Sequence, residues 1–125
     1  MTVLHHLALG ARDVEKVAAF YRDVLGLPEQ ARHHQPDGSL RSVWLDLGNA
    51  TLMVEHSKAP PHQVAELGSG LFLLCVRVTA DERTTLVAAL ERAGAHIEGS
   101  TQFTSYARDP EGNRVAISHH PLMQA

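Results

Sequence analysis

One plan written twice constrains this chain more than any single motif. A period-two strand runs into a capped helix, a glycine stops the helix, and three short strand segments follow. In the first copy, residues 2–10 alternate. Val3, His5, Leu7 and Leu9 face one way, and Leu4, His6, Ala8 and Gly10 the other, as in a half-buried strand. Asp13 stands at the N-cap position, and Val14, Val17, Ala18, Tyr21, Val24 and Leu25 recur at helical spacing as one apolar stripe. Gly26 predicts the helix stop, and Pro28 bars its resumption. Residues 28–34 read as a short polar edge strand and Gln35-Pro36-Asp37-Gly38 as a turn. Residues 40–47 and Ala50 to Glu55 read as two strands around a Gly48-Asn49 turn.

The second copy opens on an apolar strand, Leu71 to Val78. Thr79-Ala80-Asp81-Glu82 then has the form of a capping box, in which threonine and glutamate satisfy each other's free amides. Leu86, Val87, Leu90 and Ala93 make the helix stripe, and Gly94 ends it. Residues 95–100, 102–108 and 113–118 are strand segments, with Asp109-Pro110-Glu111-Gly112-Asn113 as the hairpin between the last two. The copies are offset by about 67 residues. Residues 57–69, with Pro60 and Pro61, read as a linker. The expectation is an α+β fold in one domain, residues 1–125, with module 1 at about 2–56 and module 2 at about 70–121. Its two β-α-β-β-β modules would form a cleft of curved mixed sheets, with the helices on the outer faces.

Composition narrows the function. A net charge of -3 gives no electrostatic basis for binding nucleic acid or an acidic membrane. No apolar run reaches the roughly 20 residues of a membrane helix. Cys75 is the only cysteine, which points to a reducing, cytoplasmic setting and, in an apolar strand, to a buried inert thiol. Nine histidines raise the question of a metal, above all His6, a metal-competent side chain in an otherwise apolar strand.

Several residues are candidate site groups by strand parity. Glu55 is a catalytic candidate. Its carboxylate, at a strand end, reads as a metal ligand, a general base or a solvated charge. Trp44 alternates with Ser42 and Asp46, and either floors a pocket or packs elsewhere. Gln102, Thr104, Tyr106 and Arg108 share one face. Arg108 reads as a group that grips a polar substrate or as a partner for Asp109 or Glu111 in the turn.

His6 with Asp13, Phe20-Tyr21-Arg22-Asp23-Val24-Leu25-Gly26-Leu27 and Arg108-Asp109-Pro110-Glu111-Gly112-Asn113 together carry a family resemblance. The chain resembles the vicinal oxygen chelate superfamily: glyoxalase I, extradiol dioxygenases, and the fosfomycin and bleomycin resistance proteins. The resemblance runs from about residue 3 to residue 120 and implies a small organic ligand in the cleft, lined by Trp44, Met53, Gln102, Tyr106 and Arg108. It also implies a homodimer and one divalent metal (Zn, Ni, Mn or Fe) held at four positions. His6 matches the first of these. The second falls at Met53, with Glu55 two residues on and on the same face. The third and fourth fall at Leu73 and Ala116, which bear no ligand. Two readings follow. One is a binding protein for a small organic ligand with an incomplete metal site. The other is a metal-dependent lyase, isomerase or dioxygenase with His6 and Glu55 as metal ligands. Two protein ligands fall short of the three that a catalytic zinc usually keeps.

Overall fold

The computed structural model describes residues 1–61 and 63–122. The chain divides into two compact units, 1–62 and 63–125. The boundary falls inside the segment read as a linker, whose described residues form neither helix nor strand. Each unit holds one four-stranded mixed sheet with a helix on one face. In the first, β1 (His6–Ala11) leads to α1 (Val14–Ala19), then β2 (Glu29–His34), β3 (Leu40–Asp46) and β4 (Thr51–His56), in the order β1-β4-β3-β2. In the second, β5 (Leu74–Arg77) leads to α2 (Ala80–Arg92), then β6 (Gly99–Ser100), β7 (Thr104–Arg108) and β8 (Arg114–Ser118), in the order β5-β8-β7-β6. The outer pair in each is parallel and the others antiparallel. The duplicated β-α-β-β-β plan is therefore present. Among the described residues no helix is long and apolar enough to cross a membrane.

In the first unit the N-cap is as expected: Asp13 accepts the Lys16 amide at 3.1 Å. The helix is not continuous. After Ala19 it widens into a π-helical turn, Phe20–Val24, with the Leu25 amide reaching back to the Phe20 carbonyl. The extra residue per turn rotates Phe20 and Tyr21 inward together, so both are buried while Val24 is left half-exposed. Their rings meet edge to face at 5.2 Å. Gly26, at φ +80°, ends the helix in the left-handed region as predicted. Helix α1, with Val17 and Ala18 buried, packs on β3 and β4, whose Val43, Leu45, Leu52 and Val54 are fully buried, as is Tyr21. Each aliphatic side chain in such a layer contributes about 1.5–3 kcal/mol. Strand β1 starts later than the alternation implied. Its pairing with β4 begins at His6, and Val3 and Leu4 are exposed.

The second unit has a thinner core, built on Leu90, Ala107, Val115 and Ile117. The capping box is complete: Thr79 Oγ1 accepts the Glu82 amide and Glu82 accepts the Thr79 amide. The predicted strands are all shorter, the first two most of all. Leu71 to Leu73 precede β5 unpaired, and of 95–100 only Gly99 and Ser100 pair. Ala93 is the exposed C-cap rather than part of the buried stripe. Cys75 is exposed, not buried, because it lies on the sheet face away from α2.

A charge network ties α1 to the edge strand of the first sheet. Glu29 accepts from Arg22 at 2.9 Å and from Arg32 at 2.8 Å. Arg22 also holds Asp23, and Arg32 lies 3.3 Å from Glu15. Hydrogen bonding to Arg32 first, then Arg22, pulls the Glu29 carboxyl down to about 2 from its usual 4.5. The folded state therefore favours the ionised form. That stability is fully present above the unfolded value and is lost as pH falls from about 4.5 towards 2. Because Glu29 is partly solvated, about 1 kcal/mol is expected, not the full linkage value. Acid unfolding of Glu29→Gln should lack this component. A wild-type and variant difference that stays constant from pH 6 to pH 2.5 would remove Glu29 as its source.

Candidate functional site

The register of the first sheet defines what its open face, the one without α1, presents. Residues directly opposite across paired strands share a face. One row runs His6, Thr51, Asp46; the next Ala8, Met53, Trp44, Ala31; the third Gly10, Glu55, Ser42, His33. The strand parity of the sequence holds for Trp44, Met53, Glu55 and His6, all on this face. His33 joins them through a bulge in β2, which the sequence did not reveal.

His33, Ser42 and Trp44 share a further property. His33 Nε2, Ser42 Oγ and Trp44 Nε1 are shielded from solvent and have no hydrogen-bond partner. The His33 ring packs edge to face on the Trp44 indole at 4.6 Å, and Ser42 is 1% exposed. A buried polar atom left unpaired costs about 1–3 kcal/mol. Such atoms are few in native proteins, so three on two adjacent strands form a distinct local feature. Two other polar groups on the face, Thr51 and Asp46, have partners. The Thr51 hydroxyl donates to Gln30 Oε1 at 2.9 Å, and Asp46 accepts the Gly48 amide at 2.7 Å.

The register also tests the implied metal. His6 lies opposite Thr51, and Glu55 lies opposite Gly10, four residues further along. At about 3.3 Å per residue that is roughly 13 Å along the strand. Side chains on one face stand roughly perpendicular to the sheet, and metal–ligand bonds are only about 2 Å long. His6 and Glu55 thus do not fit one ion in this arrangement. Met53, in the next row to His6, offers a thioether, a poor ligand for a hard cation. Among the described residues no group of three or more His, Cys, Asp or Glu side chains is placed to hold a metal. The exposed His6 instead sets its Nδ1 2.8 Å from Nδ1 of His5. The two rings meet because His5 precedes the strand and escapes its alternation.

The open face of the second sheet carries Cys75, Arg77, Thr104, Tyr106, Arg108, Arg114, Ala116 and Ser118. Ala116, between Cys75 and Tyr106, presents only a methyl group, and Leu73 lies just before β5. Gln102 lies outside β7 and is exposed. Its carbonyl accepts from Arg83 at 2.7 Å. Arg108 bonds Glu98 at 2.8 Å and the carbonyls of Val64 and Gly112, rather than Asp109 or Glu111. His119 and His120 lie beyond β8, with both rings edge-on to Phe103. Arg114, which sequence reasoning passed over, is 8% exposed with its guanidinium 4.2 Å above the Tyr106 ring. The only available signal was its place directly after the Asp-Pro-Glu-Gly-Asn turn, on the face that Tyr106 shares.

Two duplicated β-α-β-β-β units with this topology define the class, and comparison with known proteins agrees. The chain belongs to the Glyoxalase/Bleomycin resistance protein/Dioxygenase superfamily, which it matches over residues 3–117. It is similar to the mitochondrial methylmalonyl-CoA epimerase of Homo sapiens, 28% identical over 60% of this chain and 46% of that protein. The chain thus matches less than half the length of that relative. Among solved structures it is similar to lactoylglutathione lyase from Agrobacterium tumefaciens, with a TM-score of 0.69 and 23% identity over 94% of this chain and 93% of that one. It is also similar to a fosfomycin resistance protein of Listeria monocytogenes complexed with Mn(II) and 1S,2S-dihydroxypropylphosphonic acid. There the TM-score is 0.80, at 12% identity over 98% and 95% of the two chains. At these identities the solved structures establish the fold alone, which hosts many reactions.

Proposed function

We propose that this chain binds a small oxygenated organic molecule on the open face of its first sheet, and that binding does not depend on a resident divalent ion. The observation that carries this reading is the trio of shielded, unpartnered polar atoms on His33, Ser42 and Trp44. An indole N–H only donates, a hydroxyl donates or accepts, and an imidazole nitrogen does either according to tautomer. All three are satisfied together by a ligand bearing oxygen acceptors, reached when the His33 ring swings off the indole. Met53 and the Trp44 ring supply the apolar floor. Glu55, directly opposite Ser42, is the carboxylate placed to take a proton from a ligand spanning the third row, should the molecule be turned over. Superfamily membership supports small-molecule binding and favours no single reaction.

Trp44 is the only tryptophan, so its emission reports on this face directly. The probes are small hydroxy acids, diols and diketones, titrated into protein stripped with EDTA. A saturable change in Trp44 emission is expected, weakened about tenfold by Ser42→Ala, or about 1.4 kcal/mol. The same substitution removes an unsatisfied buried hydroxyl. Unfolding free energy should therefore stay level or rise by about 1 kcal/mol. Binding that appears only on adding Mn²⁺ or Zn²⁺, and that ignores both Ser42→Ala and Trp44→Phe, would sink the reading.

A further inference from the structure

Antiparallel pairing of β7 with β8 places Arg108 directly opposite Arg114, and like charges so placed repel. Arg108 is offset by Glu98 at 2.8 Å. Arg114 is not offset in this way. It is more than nine-tenths buried, its Nε has no partner, and the carboxylate it faces, on Glu66, lies 3.8 Å away on a side chain that is 86% exposed. Breaking or omitting the partner of a buried charge is costly, by about 3–5 kcal/mol in measured cases.

What the two guanidiniums do hold is main chain. Arg108 Nη1 donates to the Val64 carbonyl, and Arg114 Nη1 donates to the Glu66 carbonyl at 3.0 Å. Both reach the same irregular segment, which has no helix or strand to fix it. Neutral carbonyls therefore stand where ionised oxygens would bind about twice as strongly. Beneath them, the Tyr106 ring supports the Arg114 guanidinium by a cation–π contact. Arginine is the side chain suited to planar, two-pronged recognition of carboxylate and phosphate.

We infer that Arg114, with Arg108 and Tyr106, forms a binding site for the carboxylate or phosphate group of a small molecule, and that the Val64 and Glu66 carbonyls occupy it in the ligand-free chain. An entering anion takes over Nε and one Nη of Arg114, and the 64–66 segment lifts away. Glu66 is then a competitor. Its carboxylate sits one short swing from Arg114, so its removal should favour an external anion.

The test is an NMR titration of the full chain, following the Arg114 side-chain Nε–H resonance and the amides of residues 64–66. Inorganic phosphate and acetate are the probes, at ionic strength held constant with chloride. Saturable shifts of Nε–H and of the segment amides are expected in the millimolar range. Phosphate acting alone would identify a phosphate site, and acetate acting equally a general carboxylate site. Glu66→Gln, at an exposed position that should fold normally, is expected to tighten binding about threefold. Arg114→Lys is expected to weaken it tenfold or more, since a point charge cannot reproduce the fork. The inference is overturned if chloride alone produces the same shifts, if neither probe moves Nε–H, or if Glu66→Gln weakens binding.

Discussion

Arg83→Ala should destabilise the second unit by about 2 kcal/mol, the loss expected when several charge-assisted hydrogen bonds to one half-exposed segment are removed together. Arg83 lies in the first turns of α2 and is half-buried. Its Nε donates to Ser105 Oγ at 3.0 Å, and its Nη1 to the Gln102 carbonyl at 2.7 Å. Nη2 bridges the carbonyls of Thr101 and Thr104 at 2.8 and 3.1 Å. One guanidinium thus satisfies the turn between β6 and β7 and fastens it to the helix. Hydrophobic docking does little to replace it, because Leu90 is the one fully buried apolar side chain of α2. Lysine carries three donors on a compact head, so Arg83→Lys should recover less than half of the loss. Urea unfolding gives the magnitude, and hydrogen exchange at the β7 amides shows whether this unit opens on its own. A change below 1 kcal/mol, with β7 protection intact, would mean that water replaces the guanidinium at no cost.

The parts of this molecule that were legible in the sequence are those fixed by local chemistry. Asp13 and Thr79 cap their helices, and Gly26 and Gly94 stop them at φ +80° and +82°, because cap and stop need only a few neighbouring residues. Strand parity likewise put Met53 with Glu55, and Trp44 with Ser42 and Asp46, since alternation is a property of the strand itself; that the two sets share a face came only with the β3–β4 register. The π-helical turn was not legible. The spacing of Val14, Val17, Ala18 and Tyr21 suits an α-helix, and only tertiary packing decides that Phe20 rather than Val24 is buried. Nor was the site legible beyond its parity. Whether His6 can meet Glu55 depends on the β1–β4 register, a non-local pairing. His33 reaches Trp44 only through a bulge, and the burial of Arg114 depends on a segment some 48 residues away. Each of these is set by contacts distant in sequence, which periodicity does not encode.

Asp109→Ala should cost about 3–4 kcal/mol, at the upper end for a turn residue, because the Asp109 carboxylate is both buried and multiply bonded. It is 4% exposed. Its Oδ1 accepts the amides of Glu111 and Asn113 at 2.9 and 3.0 Å, and its Oδ2 accepts the Asn113 carboxamide at 2.8 Å. The main chain completes the turn: the Gly112 amide reaches the Asp109 carbonyl at 3.0 Å, and the Asp109 amide reaches the Asn113 carbonyl at 2.9 Å. Aspartate first, proline second and glycine fourth is the preferred chemistry of such a turn, and Gly112 occupies the left-handed region at φ +92°. Alanine would strip the two amides of their shared acceptor inside the protein. Asp109→Asn keeps that acceptor but sets an NH₂ against the Asn113 NH₂, so it should cost roughly half as much. Because the turn sets the register that faces Arg108 with Arg114, Asp109→Ala should also abolish the phosphate-induced shift of the Arg114 Nε–H, while Asp109→Asn weakens it. Thermal unfolding and the NMR titration check both effects on the same samples. If the two variants are equally stable, the carboxylate is not what holds the turn, and Gly112 with its main-chain bonds suffices.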